Sequence, residues 1–247
     1  MAPNELLRAR IAARGWRPSD LAARVQVDTK TVERWIHTGR VPHRTTRWSV
    51  AQALGVDELT IWPEVADQQC TKGASQAELV TVYSNRGQVP PALWTSMIRD
   101  AAESISLLVY AGLFWFDAHA DLCDLLKARA DAGVRVRLAL GDPDAPAIAT
   151  RGVEEGIDMA ARTRLTLGLI GPIVGHPGIE VRLHATTLYA SLYRADDVLL
   201  ANTHVLGSPA LHSPVLHLQR IHGGQMFDHY TASFERAWAS ARPYAIQ

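Results

Sequence analysis

Leu21-Ala-Ala-Arg-Val-Gln-Val-Asp-Thr-Lys-Thr-Val-Glu-Arg-Trp-Ile36 decides how the front of this chain folds. Pro18 and Ser19 open a short helix over residues 19–24, and Val25-Gln26-Val27 makes a turn. Asp28 can accept the free N–H groups at the start of a second helix, residues 29–37, and Gly39 breaks that helix. Leu21, Ala22, Val27, Val32, Trp35 and Ile36 are spaced to build a small core between the helices. Working outward, Asn4 caps an earlier helix that runs to about residue 14. Pro42 and His43 lead into a later one over 45–54, which Gly55 ends. Trp35 and Trp48 are read as core side chains rather than as stacking platforms.

The whole chain of 247 residues has no net charge, but the charge is uneven. Residues 1–50 carry ten Lys or Arg against four acids, a net +6, so the remainder sums to −6. A basic end on an acidic body suits a chain that presents that end to a polyanion, although a solvated basic surface has the same composition. No apolar run is long enough for a membrane span, and the first residues lack the pattern of a secretory signal, so a cytoplasmic location is expected. Cys70 and Cys123 form no CxxC pair, which argues against a disulfide framework or a cysteine zinc site. No cofactor is expected.

Residues 21–36 resemble the helix-turn-helix of lambda-repressor-like regulators (the Cro/CI-type, or XRE, family). The resemblance implies that the 29–37 helix enters the major groove of double-stranded DNA. Thr29, Lys30, Thr31 and Arg34 then face the groove, and Arg40, His43, Arg44 and Arg47 contact phosphates. Glu33 can pair with Lys30 or accept from a cytosine amine. A helical protein–protein module is the alternative reading of the same helices.

Three parts are expected: a helical domain over 1–63, a polar, aperiodic linker over 64–77, and a second domain over 78–247. The fold class is thus all-α followed by α/β with a mixed sheet. Residues 78–83 are β-like, 93–102 helical, and 104–111 a buried strand. Residues 117–132 have helical spacing, Gly133 ends that helix, and 134–140 form the next strand, which implies a right-handed parallel crossover. One helical stretch over 145–170, strands over 179–184, 188–194 and 198–204, and a closing helix over 227–239 complete the reading.

The segment from Arg182 to His204, with His184 on one strand and Asn202 near the end of another, resembles the phospholipase D-like superfamily. The motif of that family is His-x-Lys, four residues, then Asp, followed by Gly-Ser and Asn. Its His is a nucleophile and its Lys binds phosphate. Here Thr186 stands where the Lys belongs and Ser191 where the Asp belongs, and no Gly-Ser precedes Asn202. Losing a positive charge beside a dianionic transition state removes the largest usual catalytic term, so no enzyme activity is expected. Over residues 78–240 the chain also resembles the C-terminal domain joined to such headpieces in actinobacterial-type regulators. The phrases that carry this include Val109-Tyr-Ala-Gly-Leu-Phe114, Leu140-Gly-Asp-Pro-Asp-Ala-Pro146 and Pro214-Val-Leu-His-Leu-Gln-Arg220.

His184, Thr186, Tyr189, Ser191, Tyr193, Asn202, His204 and Asp142 are the candidate ligand-binding residues. Their neutral donors suit a small polar or nucleotide-like effector, and a network of satisfied buried polar groups is the competing reading. Asp117, His119, Asp121, Cys123 and Asp124 cluster in sequence, but acids at a helix start favour the helix dipole, and no metal is expected. The phospholipase D-like resemblance implies a two-fold homodimer, because the chain has one motif copy. Such a dimer matches a pseudo-palindromic operator. Three functions are weighed: a ligand-responsive transcription regulator, a phosphodiesterase or nuclease using His184, and a scaffold that only dimerises.

Overall fold

The computed structural model describes residues 2–119 and 121–245, leaving aside the side chains of 66–72 and 118. The chain divides into two compact units, 1–72 and 73–247. The first is helical: α1 (Glu5–Ala13), α2 (Pro18–Arg24), α3 (Thr29–Thr38), α4 (Arg44–Leu54), α5 (Glu58–Ile61) and the start of α6 (Glu64–Ala77). Local chemistry sets most of these ends. The Asn4 carboxamide accepts from Leu7 N–H at 2.8 Å and donates to the Ile61 carbonyl at 3.0 Å, which ties α1 to α5. Asp28 accepts from Lys30 N–H at 2.7 Å. Gly39 and Gly55 end α3 and α4 in the left-handed region, at φ 64° and 66°. Leu7, Leu21, Val32, Trp35, Ile36 and Val50 meet in one core, and Val27 is only partly buried beside it.

Two expectations fail here. Residues 64–77, expected to be aperiodic, form helix α6, and the division between units falls within it, at Lys72/Gly73. The segment holds three Gln and three Ala, which favour helix, and no Pro. It also lacks an apolar stripe, so periodicity did not reveal it. Trp48 is 62% exposed rather than core. It stands two residues from the buried Val50, which puts it on the opposite side of α4.

Gln26, in the turn between α2 and α3, has φ 55°. A β-carbon is strained there, whereas glycine is not. Gln26→Gly is expected to stabilise the first unit by roughly 0.5–1 kcal/mol in chemical denaturation.

The second unit is a mixed sheet with helices on both faces. In chain order it comprises β1 (Leu79–Tyr83), α7 (Pro91–Arg99), β2 (Ser104–Val109), α8 (Leu113–Ala118), α9 (Leu122–Asp131), β3 (Arg135–Gly141), α10 (Pro146–Glu155), α11 (Met159–Leu169), β4 (Ile179–His184), β5 (Ala190–Ala195), β6 (Val198–Thr203), β7 (Val215–Gln219), α12 (Met226–Ser240) and β8 (Arg242–Pro243). The sheet order is β1-β7-β6-β5-β2-β3-β4-β8. β2, β3 and β4 run parallel, as the expected crossover requires, and the other pairings are antiparallel. β2 and β3 are covered on both faces, which explains the apolar runs Leu107-Leu-Val109 and Leu138-Ala-Leu140 at their ends. One face packs Ile105, Leu107, Val136 and Leu138 against α7 and α9. The other packs Leu108, Ala139 and Leu192 against α10 and α12.

The stretch expected as one helix over 145–170 is broken. Gly156 ends α10 at φ 68°, and the Asp158 carboxylate caps α11 through Ala161 N–H at 2.8 Å. The expected helix over 117–132 is likewise two, α8 and α9. β7 was not foreseen as a strand. The buried carboxylate of Glu78 accepts from Met226 N–H at 2.7 Å and Phe227 N–H at 3.3 Å, fastening the start of α12 beside β1.

Asp196, at the β5–β6 turn, accepts from the N–H groups of Ala102, Glu103 and Ser104 at 2.7–3.0 Å. Burial works against its charge, but these three bonds and Arg194 hold its carboxyl below the usual range. Its contribution to stability is therefore present above the ordinary Asp pKa and is lost as pH falls through the lowered one. Asp196→Asn is expected to cost about 1–2 kcal/mol at neutral pH and to flatten the acid limb of the stability curve.

Candidate functional site

In the first unit α3 buries Val32, Trp35 and Ile36 and turns Lys30, Glu33 and Arg34 outward. Thr29 and Thr31 are half-buried on its first turn. Arg40, His43 and Arg44, on the loop and at the start of α4, are exposed. Lys30, Arg34, Arg40 and Arg44 form no ion pair among the described residues, and Glu33 is not bonded to Lys30. Arg47 corrects the expected set. It is half-buried, donates to the Pro42 carbonyl at 3.0 Å and pairs with Glu58 at 3.4 Å. Its fork holds the loop and α5 to α4, so it is not free for a phosphate.

The eight ligand candidates of the second unit do not share one pocket. His184 ends β4 and is fully buried. Its Nε2 lies 3.0 Å from the Val109 carbonyl, and its Nδ1 accepts from Thr186 N–H at 3.3 Å. These partners define an Nε2–H tautomer with both nitrogens engaged. Burial pushes its pKa down, keeping the ring neutral. Thr186 lies past the end of β4 and is exposed, so the expected shared strand face with His184 does not form. Tyr189 is 85% exposed. Asp142 is tied to Arg242 at 2.8 Å, and that guanidinium holds its carboxyl below the usual range. Asn202 donates to the Ser213 and Pro214 carbonyls, with its buried Oδ1 unpartnered.

Ser191, Tyr193 and His204 do come together, in a cavity of about 420 Å3. Alternation along β5 sends Ser191 and Tyr193 to one side and Leu192 to the other. Val109, the last residue of β2, and Tyr110 to Phe114 just beyond it form part of the wall, where α/β sheets usually place ligands. Nδ1 of His204 lies 3.1 Å from the Leu188 carbonyl and its Nε2 lies 3.0 Å from the Ser191 hydroxyl, so Nδ1–H donates and Nε2 accepts. Its ring stacks on Tyr110 at 5.4 Å. Tyr110 in turn accepts from Leu188 N–H at 2.7 Å. Burial, helped by the charges of Arg151 and Arg86, lowers the His204 pKa to about 4. The Tyr193 hydroxyl faces Arg86 and Ser191, and burial pushes its pKa up.

Sequence reasoning missed Arg86, which follows β1 in a short 3-10 turn (Arg86–Gln88), and Arg162 on α11; both line the cavity. No local pattern pointed to either. Asp117, His119, Asp121, Cys123 and Asp124 form no cluster able to hold a metal among the described residues. Among the described residues no helix is long and apolar enough to cross a membrane.

No protein-family model matches the chain, and no curated protein matches it. Similar solved structures include Nuc from Salmonella typhimurium, a phospholipase D family member, at 14% identity and TM-score 0.41 over 67% of this chain and 97% of that one. TrmBL2, an archaeal chromatin protein with a novel mode of DNA binding, matches at 14% identity and TM-score 0.44 over 83% of this chain and 72% of that one. NucT from Helicobacter pylori matches at 13% identity and TM-score 0.43 over 66% and 98%. At these identities and scores the likenesses are loose.

Proposed function

We propose that the chain is a DNA-binding transcription regulator of the lambda-repressor-like type. Its phospholipase D-like second unit senses a small ligand and does not cleave phosphodiesters. One observation carries the reading: α3 buries its apolar side and leaves Lys30 and Arg34 outward, uncommitted to any acid among the described residues, close in sequence to the exposed Arg40, His43 and Arg44. Thr29, Lys30, Thr31 and Arg34 read base edges, and the loop cations hold the backbone. The unit works in pairs, as a homodimer on a pseudo-palindromic operator with half-sites about one helical turn apart.

The non-catalytic part of the reading is supported by the His184 ring. A nucleophilic imidazole needs one nitrogen lone pair free towards the phosphorus. Here Nε2–H donates to Val109, and the Nδ1 lone pair is taken by Thr186. Thr186 also brings no cation.

Selection of duplexes from a random pool by the full-length chain tests the function. A consensus with two-fold symmetry is expected, and Lys30→Ala or Thr29→Ala should change the selected bases, whereas Arg44→Ala should weaken all duplexes alike. A pool that yields no consensus contradicts the reading. With a chromogenic phosphodiester, no turnover sensitive to His184→Ala is expected.

A further inference from the structure

The cavity beside β5 contains a cation that no acid among the described residues neutralises. Arg86 lies over the Phe114 ring, 3.8 Å from its centre, and its buried Nε has no hydrogen-bond partner. Among the described residues no carboxylate comes within ion-pair distance of it. The same unit treats a structural arginine quite differently. Arg151 is paired with Glu154 at 3.0 Å and Glu155 at 2.7 Å and also donates to the Ser208 carbonyl. Arg86 is half-buried, with its Nε enclosed and the Tyr193 hydroxyl beside its guanidinium, so the fork is fixed in the cavity wall with its charge unmatched by a carboxylate among the described residues.

The remaining lining narrows the counter-ion. Glu155 reaches the cavity but is committed to Arg151, and Asp117 and Arg162 are both exposed residues of opposite sign. The inner polar groups, Ser191 and Tyr193, are neutral hydroxyls. His204, with its lowered pKa, adds no charge at neutral pH. The Ser191 hydroxyl donates to His204, so one guanidinium fork with the Tyr193 hydroxyl as neutral donor matches a monoanion, and a carboxylate fits the fork through two oxygens. The other walls, Phe114, Ile157, Met159 and Leu211, are apolar. A volume of about 420 Å3 is that of a small-molecule site.

We propose that this cavity binds a small organic carboxylate, with its charge on Arg86 beside the Ser191 and Tyr193 hydroxyls and its apolar body against Phe114, Ile157 and Met159. Its role as effector rests on the regulator reading above, but the binding itself needs no DNA.

Calorimetric titration and thermal melting of the full-length chain test the site, with benzoate, phenylacetate and hexanoate as probes. Benzamide serves as the neutral isostere, and inorganic phosphate as the small polyanion. At least one carboxylate is expected to bind and raise the melting temperature with concentration, with benzamide at least about tenfold weaker. Arg86→Gln is expected to weaken that binding at least about tenfold, and Arg162→Gln by less than about threefold. If Arg86→Gln does not fold, Arg86→Lys, which keeps the charge and loses the fork, should still bind the carboxylate measurably more weakly. The proposal is overturned if no carboxylate shifts the melt up to about 10 mM. Equal binding of benzamide, preference for phosphate, or undiminished binding by a folded Arg86 variant overturns it too. Carboxylate binding through Arg86 supports the site even if no duplex is bound, so the two readings fail separately.

Discussion

Replacing Lys30 and Arg34 together by glutamate is expected to weaken duplex binding at least about a hundredfold at roughly 0.1 M salt. Each change removes an attraction to the phosphate-lined groove and adds a repulsion, and the two side chains lie one turn apart on the outward side of α3. Folding should not suffer. Neither side chain packs in the core, and a glutamate at position 30 sits in the first turn, where the helix dipole favours it. Fluorescence anisotropy with a selected duplex measures the loss, and a melting curve serves as the control. A double variant that melts normally and binds normally would show that α3 does not face the DNA.

The second large effect concerns acid. His204 is held neutral by burial, with a pKa of about 4. In the unfolded chain it titrates near the ordinary histidine value, about 6.5. Between these values the unfolded state binds the proton and the folded state does not, so stability falls as pH falls through this window. The shift corresponds to about 3 kcal/mol, fully present above the ordinary value and lost by pH 4. Burial lowers the His184 pKa as well and acts in the same direction. His204→Gln is expected to lose some stability at neutral pH, because Leu188 and Ser191 lose a well-placed partner. It should also flatten the dependence between pH 4 and 6.5. Denaturant unfolding of both proteins across that range checks this. An unchanged slope in the variant would mean that His204 is not the buried base described here.

The first helices were legible because their signals are local. Asn4, Asp28, Gly39 and Gly55 act on the residues beside them, and each is visible in a window of a few positions. β2 and β3 were legible because burial on both faces writes a mostly apolar run, interrupted at Ser106 and Arg137. α6 was hidden because propensity without an apolar stripe reads as a loop, and the break at Gly156 was hidden inside continuous helical spacing. Trp48 misled because an aromatic residue in a helix is usually core, and only the position of Val50 shows which side is inward.

The site was legible only within one strand pair. Ser191 and Tyr193 follow the two-residue period of β5, and His204 lies just beyond β6, which pairs with it. His184 looked equivalent, but its fate depends on the Val109 carbonyl of a strand distant in sequence. Arg86 gave no signal at all, because what distinguishes it is its place in the cavity wall over Phe114 and beside Tyr193, residues distant from it in sequence.

The salt dependence of duplex affinity tests the central claim most directly. Anisotropy of a labelled, selected duplex with the full-length chain, from about 50 to 300 mM salt, gives the slope of log affinity against log salt. Two copies, each bringing Arg40, Arg44 and their neighbours to the phosphates, predict a slope steeper than about −3, shallower by about one or two units in Arg44→Ala. A flat slope, or no binding to any duplex at the lowest salt, would contradict the account.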